Sequence, residues 1–137
     1  MSNFVEIFND SFERLMKEDR RQAFIGGFYD RFMASNPQVA EKFSATDMAH
    51  QKKMLAESLA EMREFFLKPE DNPYLVTLAR IHGVRGRQIA GELYDAWLDS
   101  LVAAVEEHDP DFIPYVELAW RVVMAPGIAF MRFFYDR

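Results

Sequence analysis

His82 is the residue whose type and placement best fit chemistry. It sits in Leu78-Ala79-Arg80-Ile81-His82-Gly83-Val84, downstream of an aromatic block, Phe28-Tyr29-Asp30-Arg31-Phe32, and of Asn36-Pro37 followed by Phe43. A neutral imidazole can ligate a transition metal through one ring nitrogen. One histidine cannot hold a free ion tightly, but it can hold an iron whose four in-plane ligands come from a porphyrin. Such a group needs an apolar, largely helical pocket. His50, His82 and His108 show no spacing of a multi-ligand metal site, and the absence of cysteine excludes disulfides, iron–sulfur clusters and zinc–thiolate sites.

The elements that must position His82 read as helices throughout. Val5, Phe8, Phe12, Leu15 and Met16 form one stripe at helical spacing, and Phe24, Phe28 and Phe32, with Ile25 and Tyr29 beside them, form a second. Asn36-Pro37 ends the second helix, and Pro37 opens a short helical turn reaching Phe43. Ser44-Ala45-Thr46-Asp47 carries cap chemistry for a long helix with Met48, Gln51, Leu55, Leu59 and Met62 on one face. Lys68-Pro69-Glu70-Asp71 breaks that helix, and Asn72-Pro73 starts the next. There Leu75, Leu78 and His82 share a face, and the helix stops at Gly83 or Gly86. An amphipathic helix is expected from Ile89 to Glu107, with Leu93, Trp97, Leu101 and Val105 inward. Asp109-Pro110 then reads as a cap-plus-proline start of a last helix from Phe112 to Tyr135, whose effective start Pro114 can shift and which Pro126-Gly127 kinks. Gly26-Gly27 lies inside a helical pattern and suits a close helix crossing better than a phosphate loop.

Composition narrows the function classes. Half of the residues are apolar and 13 are phenylalanine, which fits either a bulky helical core or a cavity lined for a flat ligand. The formal net charge of −6, with both signs mixed along the chain, argues against nucleic-acid binding. No apolar run approaches membrane-spanning length, and Met1-Ser2-Asn3 opens no signal peptide, so a cytoplasmic protein without a membrane role is expected.

Taken in chain order, Tyr29, Pro37, Phe43, Gln51, Leu55, His82, Ile89, Tyr94, Ala119 and Trp120 form a set that resembles the globin family over essentially the full chain. The likeness is greatest to bacterial single-domain globins and the haem domains of flavohaemoglobins. It implies an all-α globin fold, six or seven helices around a haem pocket, in a single domain spanning 1–137. It also implies roles. His82 matches the proximal ligand of haem iron, Phe43 the phenylalanine on the haem face and Pro37 the proline opening the third helix. Tyr29 and Gln51 match distal residues, Leu55 the apolar residue one turn beyond Gln51, and Tyr94 a proximal-side tyrosine. Leu78, one turn before His82, joins the haem contacts.

Three departures stand beside the resemblance. The segment from His82 to Ile89 is longer than in those relatives and carries Arg85 and Arg87. These could pair with haem propionates, or they could be a solvated loop. The relatives' proximal carboxylate has no counterpart, and Tyr135 falls near its place. No flavin or nicotinamide domain follows the last helix. His50 competes with Gln51 for the distal side, and the shared face of Leu55 and Leu59 favours Gln51. Lys52 and Lys53 lie near the expected pocket mouth. The expected function is binding of a diatomic gas, O2 foremost and NO or CO besides, at haem b. NO dioxygenation with a separate reductase is compatible with such a pocket, so enzyme status stays open. The alternative is a regulatory or sensor module of the same fold, acting through a partner with or without haem.

Overall fold

The computed structural model describes residues 3–70 and 72–137; Asp71, part of the expected helix break, lies outside the described residues. Seven helices and no strand occur among them: α1 (Phe4–Leu15), α2 (Glu18–Ser35), α3 (Pro37–Lys42), α4 (Met48–Leu67), α5 (Pro73–His82), α6 (Glu92–His108) and α7 (Pro114–Phe134). Local chemistry fixes most of the starts. Asn3 accepts from the Glu6 N–H at 2.9 Å while the Glu6 carboxylate accepts from the Asn3 N–H, closing a reciprocal cap on α1. Asn36, Asp47 and Asn72 accept from the first amides of α3, α4 and α5, and prolines occupy the first position of α3 and α5.

α2 packs along α6, and α7 packs against α1, α4, α5 and α6. Trp120, fully buried on α7, is the hub. Phe8 of α1 lies with its ring centroid 4.5 Å away, and Phe24 of α2 at 6.2 Å. Each such aromatic removes a large apolar area from water, at roughly 25 cal/mol per Å².

Two helix boundaries differ from the sequence expectation. α6 begins at Glu92, not Ile89, because the preceding residues close a loop: the Ile89 N–H donates to the His82 carbonyl at 2.9 Å, and Gln88 adopts φ 55°. The last helix begins at Pro114, with Ile113 as its cap, so Asp109-Pro110 is not its start. The Asp109 carboxylate instead turns inward to Arg14 Nε at 2.6 Å, Ser11 Oγ at 2.7 Å and the Asp111 N–H at 3.0 Å. The long-range partners join a local bond that closes only a turn, while the helix itself starts at Pro114. α7 runs unbroken through Pro126, whose missing N–H removes one intrahelical bond. Of the two glycines in α2, only Gly27 sits at a close approach, where an added Cβ would lie 3.0 Å from His108 Nε2.

Candidate functional site

α2, α3, α4, α5, α6 and α7 enclose a cavity of about 300 Å³, at the lower end for small-molecule pockets. His82, the last residue of α5, lines it. Its Nδ1 lies 2.7 Å from the Leu78 carbonyl. A carbonyl can only accept, so Nδ1 carries the proton and Nε2 keeps its lone pair for the cavity. Burial holds the imidazole below its usual pKa, and the nearby Arg87 acts the same way, against a smaller opposing effect of the Leu78 carbonyl. The ring is therefore neutral near pH 7, the form that ligates metal.

The loop after His82 fixes this end of α5. The last carbonyls of a helix lack intrahelical donors. Here Arg87 N–H donates to the Ile81 carbonyl at 2.8 Å, Ile89 N–H to that of His82, and Gln88 N–H to that of Gly83 at 2.9 Å. Val84 N–H donates to the Tyr135 carbonyl at 2.7 Å, tying the loop to the end of α7. Gly86 lies so close to the helix that a Cβ there would stand 2.2 Å from the Ile81 carbonyl oxygen. Only glycine fits without moving backbone.

Tyr29 lines the same cavity and is 2% exposed, and burial pushes its phenol up to about 12. It stays a protonated donor at any physiological pH. Its present acceptor is the main-chain carbonyl of Gln51, at a long 3.4 Å. Phe43, the C-cap of α3, meets the Tyr29 ring edge-on at 5.8 Å and also lines the cavity. Leu55, Leu78 and Tyr94 line it as well. Burial pushes the Tyr94 phenol up to about 12.

The distal register does not reduce to one residue, since His50 and Gln51 both face the cavity, His50 exposed and Gln51 half-buried. Arg87 lines the rim and Arg85 does not. Lys52 and Lys53 do not line it either. Sequence reasoning missed Lys42, whose Nζ donates to the Arg87 carbonyl at 2.8 Å and which lines the same rim. Its position next to Phe43 was the available signal. Met54 and Trp97 were missed too, although each lies three residues beyond a cavity residue on its own helix.

The cavity combines apolar walls with cations at its rim, and no carboxylate lines it among the described residues. No three of His, Cys, Asp and Glu gather as a metal cage there either. An ion held by His82 would take its remaining donors from a non-protein ligand. A flat apolar macrocycle with anionic substituents fits these walls and this rim, so the residues present suit haem.

No family model matches the chain, and no curated protein does. Among solved structures it matches the crystal structure of a protein from Pseudomonas aeruginosa PAO1 that is described as structurally highly homologous to a human hemoglobin. The two share 34% identity at a TM-score of 0.91, over 98% of this chain and 100% of that one.

Proposed function

This chain belongs to the globin family, and on that premise we propose that it holds haem b through His82 and binds a diatomic gas, O2 foremost, on the Tyr29 side. When bound, haem supplies an iron centre with one coordination position open to the gas. The chain's own residues do the rest. The Nε2 lone pair of His82 is the protein's ligand, and the Leu78 carbonyl orients the ring and raises its donor strength. Arg87 and Lys42 receive the carboxylates at the rim. Phe43, Leu55 and Leu78 would wall the bound group off from water.

Tyr29 holds its proton at Oη and can exchange the long contact to the Gln51 carbonyl for a polar ligand atom. Gln51 or His50 supplies a second donor from the first turn of α4. Such donors favour gases that take up negative charge, as O2 does, over less polar CO. NO dioxygenation extends the same reading. There haem would supply the redox centre that converts NO and O2 to nitrate, and a one-electron reductant would have to restore it, while Tyr29 and the first turn of α4 would hold the O2.

The observation that carries the proposal is His82 with Nδ1 fixed and Nε2 left for an apolar cavity that a buried, protonated Tyr29 also lines. Haem titration of the purified protein, followed by absorbance, tests it. Stoichiometric uptake with reversible spectral change under O2 and CO is expected. No uptake would overturn the reading.

A further inference from the structure

One stretch of the surface reverses the character of the rest. The chain carries 22 acidic residues and a net charge of −6, yet none lies between Asn72 and Gly91, where Arg80, Arg85 and Arg87 occur. All three arginines are exposed, and none forms an ion pair among the described residues. They are also adjacent in space. A Cβ on Gly86 would stand 2.9 Å from the Arg80 carbonyl, so the loop carrying Arg85 and Arg87 folds back on the turn carrying Arg80.

Apolar side chains sit among these cations. Ile81 is 47% exposed and Val84 41%, and the Val84 bond to Tyr135 brings up the end of α7, where Phe133 is 58% exposed. Arg137 covers the Phe133 ring at 4.0 Å. The nearby carboxylates Asp95 and Asp136 are already paired, with Arg132 and Arg137. An apolar centre flanked by unpaired arginine has the composition of a protein interface. Ile81 and Arg87 belong both to this patch and to the cavity wall, so whatever docks here touches the edge of the His82 pocket.

We propose that the Arg80–Ile81–Val84–Arg85 surface, with Phe133, is the docking face for an acidic one-electron carrier protein. The inference rests on the haem reading above. Charge complementarity selects the partner: the local cations attract a compact acidic face, whereas the net charge of −6 opposes long polyanions and anionic bilayers. In the docked pair one electron leaves the partner's reduced flavin or iron–sulfur centre and reduces ferric iron to ferrous. No bond or proton moves in that step.

The test uses the haem-loaded protein with two acidic probes, a flavodoxin and a plant-type ferredoxin, titrated calorimetrically at about 20 mM and about 200 mM salt. At least one probe is expected to bind, with a Kd that tightens at low salt. Arg80→Glu/Arg85→Glu should weaken that Kd at least about tenfold and slow protein-mediated reduction to match. Neither residue lines the cavity, so the haem spectrum and the rate of reduction by dithionite should not change. Lys17→Glu/Arg21→Glu makes the same charge change at the start of α2, near Arg14 and so at the far end of α6. That variant should leave the Kd within about twofold, since separation beyond a Debye length screens it. Absence of binding by both probes, a Kd indifferent to Arg80→Glu/Arg85→Glu, or tighter binding to anionic vesicles or duplex DNA would overturn the docking face. Absence of haem uptake by the wild-type protein would instead overturn the pocket reading, and the spectrum separates the two failures.

Discussion

The two ends of α6 bury polar chemistry in opposite ways. At its C-terminal end Asp109, with its side chain fully buried, accepts from Arg14 and Ser11, and Ser11 accepts in turn from Trp120 Nε1 at 2.9 Å. Every buried polar side-chain atom there has a partner. At the N-terminal end, roughly 25 Å away along a 17-residue helix, the cavity wall holds Tyr94 and faces His82 and Tyr29. There the polar atoms use main-chain carbonyls or the cavity itself. A closed network orders the fold. An open one leaves hydrogen-bonding and ligating capacity for a guest. Burial alone does not separate the two, since Asp109 and Tyr29 are both deeply buried.

That contrast can be broken from the open end first. His82→Ala should abolish stable haem retention, or leave a complex rescued by imidazole, while thermal unfolding of the haem-free chain changes little. If the variant keeps the wild-type haem spectrum and His50→Ala or His108→Ala loses it, His82 is not the ligand.

Asp109→Asn should do the reverse. Breaking a buried pair costs about 3–5 kcal/mol, and the part-exposed Arg14 places this one toward about 3 kcal/mol. Denaturant unfolding should report that loss with the haem spectrum intact. Burial by itself would raise the Asp109 carboxyl, but Arg14, Ser11 and the Asp111 amide together hold it below its usual range. A depressed folded-state pKa stabilises fully above the ordinary value of 3.8 and loses that contribution as pH falls through the folded value. The gap between wild type and variant should therefore persist to about pH 4 and close below it. A gap that closes already between pH 7 and 5 would assign the network's stability to another group.

Tyr29→Phe sharpens the comparison at the distal wall. A hydrogen bond to a charged acceptor contributes about 1.5–3 kcal/mol, so O2 release should accelerate about ten- to a hundredfold in stopped-flow measurements. CO release should change much less. Gln51→Leu and His50→Leu, compared side by side, then settle which residue of the first turn of α4 is the second donor. If His50→Leu speeds O2 release and Tyr29→Phe does not, the distal donor has been misassigned.

The smallest effect belongs to the loop between the two regimes. Gln88 holds φ 55°, which costs a non-glycine residue roughly 1–2 kcal/mol. Gln88→Gly relieves that strain but loosens the unfolded chain by about 0.4–1 kcal/mol, for a net gain between about 0 and about 1.6 kcal/mol. A loss of stability would show that the Gln88 side chain, which donates to the Val84 carbonyl at 3.3 Å, matters more than its backbone strain.

What the sequence made legible follows from how local the cause is. Asn36-Pro37 and Asn72-Pro73 start helices through chemistry contained within a few residues, and both were read directly. Asp109 misled for the same reason. A carboxylate before proline has cap chemistry, and nothing nearby announces an arginine 95 residues earlier. The start of α6 was hidden because Gln88 and Ile89 are held by return bonds from α5. In the site, His82, Tyr29 and Phe43 were legible as an ordered set, whereas Lys42 was not, because its partner is a main-chain carbonyl 45 residues away. Adjacent His50 and Gln51 both reach the cavity, so helical periodicity alone could not choose between them.

Gly86 sets a limit on how this protein can vary by descent. Any change of that codon that alters the residue adds at least a Cβ, 2.2 Å from the Ile81 carbonyl oxygen and 2.8 Å from its carbon. Those atoms are backbone, pinned by the Arg87 N–H, and cannot step aside. Arg85, on one side of it, is exposed and lines no part of the cavity, so it is free to change in charge or size. Lineages could therefore retune the surface at Arg85, while the turn beneath it, and with it the pose of His82, would be inherited unaltered.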